Sequence, residues 1–97
     1  MSGYRLIAEA QRELRSGTTF YEAQHPGLGK DFVFEVRRLC RHIVETPRLG
    51  TEIQPGVRRR MVRRFPYAVL YAVENSEIIV LAIAHQSRRP DYWTSRT

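Results

Sequence analysis

Long apolar runs are missing from this 97-residue chain. None approaches the roughly 20 residues that a helix needs to cross a bilayer, so the sequence predicts no membrane-spanning helix. The opening MSGYRLIAEAQRELR is charged throughout and lacks the apolar core of a signal peptide, so the expected location is cytoplasmic. Cysteine is nearly absent. With Cys40 alone, no disulfide can close within the chain and no Cys/His metal cluster can be assembled. Cys40 stands among Val36, Leu39 and Ile43, the setting of a small core residue rather than a nucleophile. Lysine is scarcer than solubility alone would explain, because fifteen of the sixteen basic residues are arginine. Acid is scarce in one region only. Residues 1–57 hold eight basic and seven acidic residues, whereas residues 58–97 hold eight and three. Arginine's planar fork pairs with carboxylate or phosphate and stacks on rings. The bias therefore points to an acidic partner, nucleic acid or protein.

What is present fits one domain, residues 1–97, with an ordinary apolar fraction of 42%. GYRLIA reads as a short first strand. A helix is predicted over residues 8–24, with Ala10, Leu14 and Tyr21 on one stripe and Gly17 weakening it. HPGLG (25–29) is a turn. A second helix is predicted over residues 30–45, where Phe32, Val36, Leu39, Cys40 and Ile43 form one apolar face. The short turn makes the two helices an antiparallel hairpin, and TPRLG (46–50) ends the second.

Beyond Gly56 the period changes to two. Tyr67, Val69, Tyr71 and Val73 alternate with Ala68, Leu70 and Ala72. ENSE (74–77) carries hairpin residues, and IIVLAIAH (78–85) has two apolar faces, as central strands do. The run RRRMVRRF (58–65) is read as a third strand, with Pro66 marking a junction or bulge. These elements predict an α+β fold in which a helical hairpin packs on one face of a small antiparallel sheet, with its arginines near the margin of the other face. Held by a ladder, the arginines would form a fixed basic surface. Val36, Leu39, Leu70 and Leu81 are expected in the core.

HPGLGKDF, TPRLG, RRFPYAVLY (63–71) and HQSRRPDYW (85–93), in this order, resemble the RelE/ParE family of small bacterial toxins, over nearly the whole chain. The resemblance implies two helices against an antiparallel sheet, no cofactor, and a cognate antitoxin whose C-terminal segment wraps the toxin. The RelE-like branch cuts mRNA on the ribosome, and members of the ParE-like branch poison DNA gyrase. The HxxRRPxYW ending looks ParE-like. On that reading Arg64, Arg88, Arg89, Tyr92 and Trp93 contact the target, and Arg58, Arg59, Arg60 and Arg63 contact the antitoxin. On the alternative nuclease reading, Arg60, Arg63 and Arg64 hold phosphates while His85 or Tyr92 moves a proton. A third reading is a nucleic-acid-binding module without toxicity. Blander roles stand beside these. His25 and His42 would be solvated, and His85 a hydrogen-bonded structural histidine. Asp91 would pair with Arg88 or Arg89, and Tyr92 and Trp93 would pack the tail on the sheet.

Overall fold

In the computed structural model, which describes residues 3–97, two helices lie on one face of a five-stranded sheet. Strand β1 (Tyr4–Leu6) leads into α1 (Ala8–Gln24) and α2 (Leu28–Glu45), followed by β2 (Thr51–Gln54), β3 (Val57–Met61), β4 (Tyr67–Glu74) and β5 (Glu77–His85). The sheet order is β1-β5-β4-β3-β2. The four later strands form the expected antiparallel meander, and β1 pairs with β5 in parallel, which makes the sheet mixed. The β4–β5 turn places both Asn75 (φ 51°) and Ser76 (φ 65°) in the left-handed region. That is the backbone of a two-residue hairpin matched to strand twist.

The helical hairpin is closed by one carboxylate. Glu22 near the end of α1 accepts from the backbone N–H groups of Gly27 and Gly29 at 3.0–3.1 Å. It thereby satisfies donors that open α2. Gly27 holds φ 91°, which a side chain would strain. The glycine in the middle of α1 has a packing reason. A Cβ on Gly17 would stand 2.6 Å from Cε2 of Phe32, a ring with no exposed surface. Gly17→Ala should therefore destabilise the protein by about 1–3 kcal/mol through overpacking, although alanine is the better helix former by about 1 kcal/mol. Thermal or urea unfolding checks this, and a variant as stable as the parent would refute the contact.

Two apolar clusters sit on opposite faces of the sheet. Under the helices, Phe32, Val36, Cys40 and Ile43 pack on Val69, Tyr71, Val80 and Ile83. Burial pushes the Cys40 thiol up to about 12, so it stays protonated and inert. Leu39 lies at the margin of this cluster, only partly buried. The far face carries its own cluster of Val57, Leu70, Ile79, Leu81 and Trp93. Leu70 and Leu81 are core as expected, but on the side away from the helices. Alternation lets β5 serve both clusters, and a bulge puts Leu81 and Ala82 together in the far-face one. Leu70 pairs with Ala82 and Tyr71 with Val80, leaving Leu81 as the extra residue.

The arginine run is a strand for half its length. Strand β3 stops at Met61, and residues 63–66 form a bend. Arg64 takes φ 72°. With that turn Phe65 breaks the alternation of β3 and joins the aromatic core, 4.8 Å from the Tyr21 ring and 5.2 Å from Phe32. Pro66 occupies the junction, as expected, and its carbonyl accepts from Gln86 N–H at 2.9 Å.

Candidate functional site

The C-terminal segment crosses the end of the sheet and is held by one acidic residue. Glu13 of α1 accepts from Tyr92 Oη at 2.7 Å, from both terminal nitrogens of Arg96 at 2.9 and 3.0 Å, and from Ile83 N–H at 3.0 Å. The Arg96–Glu13 pair is nearly buried, at 13% and 15% side-chain exposure. Paired hydrogen bonds from one guanidinium to one carboxylate are the strong form of this contact. Arg96 also donates to Leu81 O at 3.1 Å, which ties the tail to the bulged strand. Burial, then the hydrogen bond to Glu13, push the Tyr92 phenol well above the usual tyrosine range. The guanidinium of Arg88 lies 4.1 Å from the Tyr92 ring centre and that of Arg96 4.9 Å.

Sequence reading missed Glu13, though it left a trace. Ala10, Glu13, Gly17 and Tyr21 recur at spacings of three and four, so a carboxylate stands within the buried stripe of α1. A charge there needs a buried partner.

Trp93 is 2% exposed and donates through Nε1 to Pro90 O at 2.8 Å. It packs the tail onto the far-face cluster, so the indole is withdrawn from any direct contact with a target in this conformation. Beside it runs a groove of about 450 Å³. Ile53, Met61, Leu70 and Ala84 supply apolar wall, and Arg59, Arg88 and Arg89 supply charge. His85 and Tyr92 line the same groove. Nδ1 of His85 accepts from Ser87 N–H at 3.0 Å and lies 2.8 Å from Ser87 Oγ. That is the hydrogen-bonded histidine that the sequence allowed. Asp91 makes no ion pair with Arg88 or Arg89 among the described residues.

The arginine run does not form one basic surface, because alternation divides it between the two faces. Arg59 lines the far-face groove. Arg58 turns back to donate to Gly50 O at 2.8 Å and Arg48 O at 3.2 Å, bracing the loop before β2. Arg60 and Arg63 line a different cleft, between α2 and β3, where Arg60 Nη2 lies 3.2 Å from His42 Nδ1. Arg64 stands at the bend, 3.9 Å from Asp31. Of the residues assigned to the nuclease reading, Arg60 and Arg63 thus line one hollow and His85 and Tyr92 another, while Arg64 lines neither.

Fold and site together define a small basic protein whose tail is clamped to build a rigid grooved surface. The family model for the ParE toxin of type II toxin–antitoxin system, parDE, matches residues 4–90, so the chain belongs to the ParE toxin family. A solved structure described as the chromosomal ParDE TA system from P. aeruginosa superposes with a TM-score of 0.76 at 21% identity, covering 88% of this chain and 96% of the other. No curated protein matches the chain. Membership implies a cognate antitoxin as partner. No helix among the described residues is long and apolar enough to cross a membrane.

Proposed function

We propose that this ParE-type toxin inhibits DNA gyrase by binding it, and that its antitoxin neutralises it by covering the far-face groove. The observation that carries the reading is the Glu13 clamp. It fixes Tyr92 and Arg96 and so presents Arg88 and Arg89, both exposed, from a rigid turn. Preorganised arginines beside aromatic rings are typical interface anchors. The same clamp argues against proton transfer by Tyr92, whose phenol is committed to Glu13 and held protonated. Arg64, also exposed, is a further target contact. Tyr92 and Trp93 support the surface from beneath. An amphipathic acidic segment of the antitoxin suits the groove, with apolar side chains on Ile53, Met61 and Leu70 and carboxylates toward Arg59, Arg88 and Arg89. Such a segment would order on binding.

The test incubates purified toxin with gyrase and plasmid, and in parallel with translating ribosomes. Inhibited supercoiling or trapped gyrase–DNA cleavage complexes, with intact mRNA, is the expected result. The Arg88→Ala/Arg89→Ala double variant should weaken inhibition by about 2 kcal/mol or more, roughly 30-fold, with unchanged melting. Cleaved mRNA with gyrase turning over normally would replace this reading with a ribosome-dependent endonuclease. Strong, salt-sensitive binding to free duplex, without effect in either assay, would point to a plain nucleic-acid-binding module.

A further inference from the structure

The cleft between α2 and β3 opens on the helix side of the sheet, shares only Met61 with the wall of the groove, and measures about 420 Å³. Its basic groups are poorly matched within the chain. Nη1 of Arg60 is buried without a hydrogen-bond partner among the described residues. Buried donors are nearly always paired, and an unpaired one on a charged group is costly to keep. The other terminal nitrogen of Arg60 faces His42 Nδ1, which uses no acid. Arg41 and Arg63, both lining the cleft and exposed, enter no ion pair among the described residues. Glu35, 9% exposed, forms its one ion pair among the described residues with the exposed Arg38, at 3.5 Å. Four arginines, Arg38, Arg41, Arg60 and Arg63, line this one cleft, and only Arg38 among them is paired with an acid among the described residues.

We propose that the α2–β3 cleft is a binding site for a single carboxylate, which completes Arg60, and that its occupant in the cell is an acidic side chain of the antitoxin. Two features favour a carboxylate over a phosphate. Glu35 and Glu45 stand in the wall, so a doubly charged anion meets repulsion that a singly charged one meets less. Leu39 and Met61 also line the cleft, giving apolar contact to the methylenes that carry a glutamate or aspartate carboxylate. A planar carboxylate matches the open side of a guanidinium fork. The identity of the occupant rests on the antitoxin reading given above, whereas the anion site does not.

Two measurements separate the parts. In the first, free toxin is titrated with glutarate and, separately, with inorganic phosphate, while arginine side-chain N–H resonances are followed by NMR. Glutarate should shift the Arg60 resonances saturably in the millimolar range. Arg63→Gln, at an exposed position, should weaken this several-fold without altering the melting temperature. Arg59→Gln, on the opposite face, should leave it unchanged. In Arg60→Met the resonances of Arg41 and Arg63, which line the same cleft, should no longer shift saturably, and the variant should melt no lower than the parent, because it removes the orphaned nitrogen. Phosphate saturating below glutarate would overturn the carboxylate assignment, and no saturable response to either would overturn the site. In the second measurement, affinity for the cognate antitoxin should fall at least tenfold in Arg60→Met. Equal affinity would overturn the occupant. No binding by the parent toxin would overturn the antitoxin reading itself, leaving the anion site to stand on the first titration.

Discussion

Replacing Glu13 with alanine is expected to lower the melting temperature by roughly 12–24 °C, the equivalent of about 3 kcal/mol in a domain of this size. The size of the effect comes from what is left behind. Arg96 would keep a nearly buried guanidinium without its carboxylate, while the Tyr92 hydroxyl and the Ile83 N–H would lose their acceptor. Removing one partner of a buried ion pair costs more than the pair contributes, because the survivor stays desolvated and uncompensated. Arg96→Ala should cost less, since Glu13 would retain two hydrogen-bond donors. The clamp also has a signature in pH. The Tyr92 phenol titrates higher in the folded protein than in the unfolded chain. Its contribution is therefore fully present below pH about 10 and is lost as pH rises through the folded value. The parent should lose stability at strongly alkaline pH more steeply than Tyr92→Phe. An alanine variant at position 13 that melts within about 3 °C of the parent, well under 1 kcal/mol, would show that the clamp does not hold the fold.

Leu81→Ala should cost about 2–5 kcal/mol. Leu81 is 4% exposed and packs with Leu70, Ile79 and Trp93 on the sheet face that the helices do not cover. Truncation leaves a cavity between the strands and the tail. Because Trp93 is the single tryptophan, its fluorescence reports on that cavity directly. Emission should shift toward that of a solvated indole in the variant at temperatures where far-ultraviolet dichroism is still native. A loss of this size is a large part of a small domain's stability, so reduced toxicity in this variant would say nothing about the target. An unchanged melting temperature would refute the placement of β5 between two cores.

Periodicity and turn chemistry, both local, determined the elements of this protein. The apolar face of α2, the alternation of β4, the twin faces of β5 and the hairpin at Asn75–Ser76 could all be read from residues within a few positions of one another. The family could be read from motifs in order, and with it the α+β layering. Tertiary structure decided what local pattern does not encode. Strand β2 is four residues with no apolar alternation, wedged between turn signals, and it exists because β3 offers it a ladder. Strand β1 pairs in parallel with a strand more than seventy residues away. The arginine run looks like one charged block in sequence, yet the pleat of β3 and the left-handed bend at Arg64 send its members to two faces and a corner. From sequence, Trp93 reads both as a target contact and as a packing residue. The far-face cluster decides for packing, because burying an indole against leucine and isoleucine outweighs leaving it in water. Glu13 could be noticed as a charge out of place, but not explained. Its partners Ile83, Tyr92 and Arg96 lie seventy to eighty-three residues along the chain, and only the closing of the fold brings them to one carboxylate.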